Sequence, residues 1–519
     1  MKLFLPEGRS VVLQEPKDSR ESLAEWLGAS GFGLNTRCGG RGLCRGCQVQ
    51  RLRGNEPPEL VKACQVRAFE AAGEVRIPRQ SLADESLSGV SAFDLRRPRD
   101  VPRLRAEGVG LAIDIGTTTL AAALWDLSTD RSLGTATRAN PQRRFGDDVL
   151  SRISFSLEQP DGRVRLQHSL VRDGLRPLIA EVLQAADLPV EALSAIVAAG
   201  NPTMLQTLTG DALDGLARYP FRLAWSGERT IPATEVGLNL PVTLRLLPAL
   251  GPFVGSDIVA GAFASGLPGE SRSTLLMDFG TNGEMLLLHQ GRALATAVAA
   301  GPAFEGGRLR CGTTARPDAV SAIELADMEW RCLDGRGEPT AEARGLSGAA
   351  YIDFLALGVE AGLLNAFGRM DRTHPLWHKF GEIDDDEAVL RLGRNLVISE
   401  ADIAELLQAK AAFGAGIRVL LAEAGLVPRD LERVLIAGGF GYHLSPAHAR
   451  AVGLLPDLPL ERFEIIGNAS LAGASLSLQF DLAQHMESLR RACRVIELNQ
   501  IPAFSACYAD ALLLEPLEP

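Results

Sequence analysis

Apolar positions fall into short runs at the start of the chain and longer ones beyond residue 108. Lys2–Leu5 and Val11–Gln14 read as two short strands about a turn at Gly8. Ser22–Ala29 has helical spacing, with Leu23, Trp26 and Leu27 on one face. A strand from Cys47 to Leu52, a turn at Gly54-Asn55 and a last strand at Val75–Pro78 complete a small mixed α/β unit over residues 1–78. Residues 79–107 have little periodicity and are rich in Ser, Asp, Arg and Pro, which predicts an extended linker. From Gly108 to the end at 519 the pattern becomes a long α/β array. Strands are expected at Val109–Ile113, Leu120–Trp125, Ala195–Ala199, Thr274–Met277, Met285–His289 and Arg433–Ile436. Helices are expected at Val171–Ala186, Ala349–Leu364, Glu400–Ala424 and Ala469–Leu478.

One motif in the array occurs twice. Asp114-Ile115-Gly116-Thr117-Thr118 is echoed by Asp278-Phe279-Gly280-Thr281-Asn282, which runs on into Gly283 and Glu284. Each follows one apolar strand and precedes another, so each is expected in a hairpin turn. Such a turn suits a polyphosphate. The Asp can hold Mg²⁺ through its waters, the Gly lets backbone N–H groups approach phosphate oxygens, and the Thr hydroxyls complete an anion nest. Two hairpins imply two related halves gripping one phosphate chain. A third element, Gly438-Gly439-Phe440-Gly441 after the strand Arg433–Ile436, lets the backbone lie against an adenine or ribose. Neither a Walker A motif nor a dinucleotide fingerprint is present. The competing reading is three ordinary glycine turns. Asp257 and Glu284 are either further acids near the phosphates or solvated and capping carboxylates.

Four of the eight cysteines crowd together as Cys38-x5-Cys44-x2-Cys47-x16-Cys64, with Gly39, Gly40, Gly42 and Gly46 between the first three. Four thiolates in a glycine-rich loop suit a [2Fe–2S] cluster, whose sulfides need close backbone approach and N–H donors. The plant-type first gap is one residue shorter. A four-cysteine zinc site is the alternative, but structural zinc sites usually use two close pairs, and only Cys44/Cys47 is one here. Cys311, Cys332, Cys493 and Cys507 stand apart and read as small buried hydrophobes.

Composition narrows the field. The chain is 46% apolar and 23% charged, as globular proteins are, with a net charge of −11 and no long basic run, which argues against a nucleic-acid partner. No apolar stretch has the length of a membrane span, and the opening residues are too short for a secretory signal. A reducing, cytoplasmic location is therefore expected, with thiols rather than disulfides.

Residues 1–78 resemble a β-grasp [2Fe–2S] ferredoxin. Residues 108–519 resemble the two-lobed ATPases of the acetate and sugar kinase, heat-shock chaperone and actin superfamily (ASKHA), with lobes of about 108–270 and 271–519. Their phosphate 1, phosphate 2 and adenosine motifs look like Asp114–Thr118, Asp278–Glu284 and Gly438–Gly441. In this order the two units resemble the reductive activators of corrinoid proteins. Asn140-Pro141-Gln142, Gly146–Val149, Gly200–Met204, Pro252–Asp257 and Gly467–Ser470 look like that family too. The resemblance implies an α/β multidomain, ATP-hydrolysing electron-transfer enzyme. Its cofactors would be a [2Fe–2S] cluster, ATP and Mg²⁺, with Asp114 and Asp278 catalytic. Its partners would be an electron donor and a corrinoid protein or cobalamin-dependent methyltransferase. Whether it is a monomer or a homodimer is left open. Longer members carry an extra domain where this chain has only its linker, and Arg316–Ala319 and Ser347–Ala350 depart from the usual pattern. The competing functions are activation of a different redox enzyme, a small-molecule kinase with a redox-sensing domain, and a non-catalytic scaffold.

Overall fold

The computed structural model describes the chain except residues 6–9, 14–20, 31, 33, 35–46, 53–56, 72, 79–80, 82–94, 97, 99–100, 105, 315–317, 341–342, 385 and 518–519, and the side chains of 70, 71 and 442. Its first unit is a five-stranded sheet in the order Ser10–Val12, Lys2–Phe4, Glu74–Arg76, Gln48–Leu52, Glu59–Lys62. The first and last strands of the unit pair parallel at its centre, and the other pairs are antiparallel. The helix Leu23–Ala29 starts at a capping box, in which Ser22 and Glu25 exchange side-chain and backbone hydrogen bonds. Its Leu23, Ala24, Trp26 and Leu27 pack with Leu3, Val49, Val75 and Ile77 of the sheet. Sheet order and helix make this a β-grasp.

The rest of the chain forms two six-stranded sheets. One runs Arg229–Pro232, Thr243–Leu246, Leu193–Gly200, Val109–Ile115, Thr119–Asp126, Arg131–Ala139. The other runs Phe463–Gly467, Arg433–Ala437, Thr274–Phe279, Gly283–His289, Arg292–Val298, Cys493–Val495. Both are built alike. The strand ending in the Asp-x-Gly turn pairs antiparallel with its hairpin partner and parallel with a later strand on its other side. These central strands are covered on both faces, so they read as continuous apolar runs such as Leu-Ala-Ala-Ala-Leu-Trp rather than as alternation.

The lobes share a core at their base. The helices Ser256–Ala264 and Ala469–Gln479 lie between the sheets and pack with Ala112, Ala121 and Val197 of one and Leu276, Leu286 and Leu435 of the other. Their contact is close because small residues face each other. A Cβ on Gly473 would stand 2.1 Å from the Ala260 carbonyl oxygen. The later helix thus crosses to the earlier lobe, where Ser475 Oγ accepts the Trp125 indole N–H at 3.0 Å.

Several elements differ from expectation, among them the strands Glu59–Lys62, Arg229–Pro232, Thr243–Leu246, Arg292–Val298, Phe463–Gly467 and Cys493–Val495. The strand Arg131–Ala139 is additional; its polar residues sit at a sheet edge, where no second face is buried. The helix expected over Val171–Ala186 begins as a wide turn, Ser169–Leu175, before the α-helix Arg176–Ala185. Pro177 lies in that helix's first turn and has no N–H for a preceding carbonyl. The end of the expected linker is docked on the ATPase unit. Leu95, Val101 and Ala106 pack on the interlobe core, Leu104 N–H donates to Gln479 O at 2.9 Å, and Arg103 pairs with the buried carboxylate of Asp130 at 2.5 Å. No helix among the described residues is long and apolar enough to cross a membrane.

Candidate functional site

Both Asp-x-Gly hairpins open into one cleft between the lobes, with about 1070 Å³ of empty space counting its open mouth. The first hairpin is held from behind. The buried Arg152 guanidinium donates to Thr117 O at 2.6 Å and to Gly146 O at 2.9 Å, and burial pulls its pKa down to about 9. Asn140 Nδ2 donates to Gly116 O at 2.8 Å, and Asn201 Nδ2 to Thr117 Oγ1 at 2.9 Å. The Asn140–Gln142 and Gly200–Met204 stretches therefore buttress this turn. The second hairpin pairs Asp278 with Glu284 across its two strands.

The turns meet at their threonines. Thr118 Oγ1 and Thr281 Oγ1 are 3.0 Å apart, and both hydroxyls lie against Glu305 Oε2, that of Thr118 at 2.7 Å. Glu305 ends the short turn Ala303–Glu305. Its neighbour Phe304 stacks on Phe440 with ring centroids 4.8 Å apart and meets Phe279 edge-on at 6.3 Å. The Glu305 turn is thus seated on both the second hairpin and the glycine loop.

The cleft is acidic. Asp114 accepts from Asn468 Nδ2 at 2.9 Å and Ser470 Oγ at 2.8 Å, yet burial still lifts its pKa to about 6. Burial raises Asp278 well above the carboxylate range, helped by the nearby charges of Asp257, Asp114 and Glu305. No hydrogen-bond donor among the described residues reaches the Asp278 carboxylate. Asp257 and Glu284 are hydrogen-bonded to each other, and burial raises both, Glu284 strongly. Glu284 Oε1 also accepts Gly255 N–H at 3.1 Å. No group of three or more His, Cys, Asp or Glu side chains among the described residues closes round a single point. That donor set fits a cation held by one or two carboxylates, waters and phosphate oxygens, as Mg²⁺ is, better than a protein cage.

Gly438 and Gly439 line the cleft beside the second hairpin. Gly438 has φ +92°, and a Cβ there would stand 2.8 Å from Phe279 O and 2.9 Å from Asp278 Oδ1, so only glycine fits. Of the residues expected from sequence, Asp114, Gly116, Thr117, Thr118, Asp278, Gly280, Thr281, Asn282, Glu284, Gly438, Gly439 and Phe440 line the cleft. Gly283 lies behind it against Phe413, and Gly441 against Ile436. Glu305, Thr314 and His443 also line it, and none of them stands in a recognisable motif. Ser347 caps the helix Gly348–Glu360 at the cleft edge.

Cys38 and Cys44 lie outside the described residues. Cys47 is buried and Cys64 half-buried. The pairing of Gln48 with Lys62, and the 3.0 Å bond from Ala63 N–H to Cys47 O, bring the two into neighbouring positions at one end of the strands. This arrangement fits two ligands of a four-thiolate group.

Comparisons with known proteins give the same picture over most of the chain. Residues 109–270 match the RACo middle region, and residues 272–518 match the C-terminal domain of RACo, the ASKHA domain. The corrinoid activation enzyme RamQ of Eubacterium limosum is 28% identical over 417 residues, 77% of this chain and 69% of its own length. The [Co(II) methylated amine-specific corrinoid protein] reductase of Methanosarcina barkeri is 25% identical, over 70% of this chain and 68% of its own. A solved reductive activator for corrinoid, iron-sulfur protein superposes with a TM-score of 0.74 at 27% identity, covering 100% of this chain and 99% of its own.

Proposed function

The chain belongs to the RACo family, whose middle region and ASKHA domain it carries in succession, and we propose that it is an ATP-dependent reductive activator of a corrinoid protein. On this reading residues 1–78 are an electron-carrier domain, 79–107 a joint and 108–519 the ATPase. Cys38, Cys44, Cys47 and Cys64 hold a [2Fe–2S] cluster, which when bound supplies a one-electron carrier. Gly116, Thr117, Thr118, Gly280, Thr281 and Asn282 take the phosphates of ATP. Asp114 and Asp278 hold Mg²⁺ through its waters, and the ion's charge offsets the burial and the neighbouring carboxylates that raise their proton affinities. Gly438 and Gly439 lie along the adenosine, with Phe440 as the buried prop of that loop. Glu284 supports Gly255 rather than touching phosphate.

One electron passes from an external donor to the chain and on to a partner's Co(II) corrinoid, giving Co(I). That transfer is uphill from a carrier near the roughly −400 mV of plant-type ferredoxins. Closure of the lobes round ATP can drive it by changing how the partner sits on the chain. The observation carrying this reading is the meeting of two Asp-Gly-Thr hairpins in one cleft on a chain that also bears four grouped cysteines.

The test mixes the protein, a reduced donor and a Co(II) corrinoid protein, and follows cobalt by its absorbance. Co(I) is expected only with hydrolysable ATP. The Cys47→Ser variant should hydrolyse ATP and transfer nothing. Equal reduction without ATP would overturn the proposal. Phosphorylation of an added small molecule instead would favour a kinase.

A further inference from the structure

We infer that Glu305 accepts the proton of the water that attacks the terminal phosphate of ATP; this rests on the nucleotide reading of the cleft. Five carboxylates line that cleft: Asp114, Asp257, Asp278, Glu284 and Glu305. Four are committed. Both oxygens of Asp114 are taken, one by Asn468 and one by Ser470. Asp257 and Glu284 are bonded to each other, and each also accepts a backbone N–H, from Ile258 at 3.0 Å and Gly255 at 3.1 Å respectively. Asp278 stands at the end of its strand beside Gly438, its carboxylate met by no donor among the described residues, the place for a hydrated cation. Glu305 alone reaches the seam between the two hairpins. It does so through Oε2, while its Oε1 accepts no hydrogen bond among the described residues.

The seam is where the terminal phosphate must lie if both hairpins grip one phosphate chain. A threonine hydroxyl has one proton to donate. When Thr118 and Thr281 turn their protons to phosphate oxygens, they release Glu305, which is then an unengaged carboxylate beside the phosphorus. In the reaction, the water oxygen bonds to the γ-phosphorus as the bond to the β–γ bridging oxygen breaks. ADP leaves with that electron pair, and the water's proton passes to Glu305, to be returned to solvent. The turn carrying Glu305 is firmly seated through Phe304, and Gly301 and Gly306, at φ +73° and +76°, flank it. Burial raises the proton affinity of Glu305 against the opposing effects of the two threonines and Arg143, the direction a proton acceptor needs.

The experiment compares Glu305→Gln and Glu305→Asp with the unaltered full chain. Steady-state hydrolysis is measured beside equilibrium binding of a non-hydrolysable ATP analogue. Glu305→Gln should lower kcat by about 10²–10⁴ and leave analogue affinity within about threefold. Glu305→Asp should recover part of the loss, because it keeps a proton acceptor. Near-normal turnover in Glu305→Gln would overturn the inference. So would a loss of analogue binding as large as the loss of turnover, which would make Glu305 structural. A full chain that binds no analogue would instead remove the nucleotide reading itself, and this is seen before any variant is made.

Discussion

The hydroxyls of Thr118 and Thr281 stand 3.0 Å apart across the seam between the lobes, although 163 residues separate them in the chain. Each ends an Asp-Gly-Thr turn, and each lies against the same carboxylate oxygen of Glu305. The two turns are thus joined at one point by three side chains. An incoming phosphate has to replace Glu305 as the acceptor for both hydroxyls.

Thr118→Val and Thr281→Val should each weaken ATP-analogue binding by about fivefold to tenfold, as the loss of one hydrogen bond near 1 kcal/mol implies. The double variant should lose less than the product of the two, because both hydroxyls answer to one carboxylate. Titration calorimetry on the three variants checks this. Strictly multiplicative losses would mean that the threonines act independently.

The hairpins were legible because their chemistry is local: Asp, Gly and Thr in one short turn, repeated. The strands around them were legible as apolar runs. Glu305 was not. It sits in a brief turn between Gly301 and Gly306, without periodicity, and its role arises only when two distant turns converge on it. Asn468 and Ser470 were visible as a family-like stretch, but their bonds to Asp114 depend on a helix that crosses from one lobe to the other. The strand Arg131–Ala139 was missed because an edge strand of Arg, Ser and Thr carries no burial signal.

Asp114 gives a pH-dependent stability of unusual sign. Its pKa rises from 3.8 to about 6 on folding, mainly through burial. The folded state therefore holds this proton more tightly than the unfolded state. The resulting stabilisation is full below about 4 and is lost as pH climbs through about 6. At pH 7.5 the charged group costs up to roughly 2–3 kcal/mol, at about 1.4 kcal/mol per pK unit. Asp114→Asn should therefore melt roughly 2–4 °C above the unaltered chain at pH 7.5 without nucleotide, and the gap should narrow to about half at pH 5. The same variant should lose Mg-ATP hydrolysis. Melting curves at the two pH values, with a phosphate-release assay, check both. A variant less stable at pH 7.5 would show that the bonds from Asn468 and Ser470 outweigh burial.

On the proposed reading, the joint between the two units limits how far the cysteine-bearing domain can travel. On one side Ser81 is buried and its hydroxyl donates to Gln48 O of the β-grasp sheet. On the other, Leu95 already packs on the interlobe core, and Leu104 and Arg103 are tied to Gln479 and Asp130. Residues 82–94 lie between these anchor points, and a chain of that length reaches at most about 45 Å at roughly 3.5 Å per residue. An electron carrier must come close both to its donor and to a cobalt inside a partner, and these two positions lie on different proteins. Deleting residues 85–90 cuts the reach to roughly 25 Å. Reduction of the chain by its donor and hydrolysis of ATP should both continue, because each needs one unit alone. Co(II) reduction should slow at least tenfold. Stopped-flow absorbance of cobalt, run beside the two half-reactions, measures the difference. If the deletion leaves cobalt reduction at full speed, one fixed position of the β-grasp domain serves both partners, and lobe closure alone must deliver the electron.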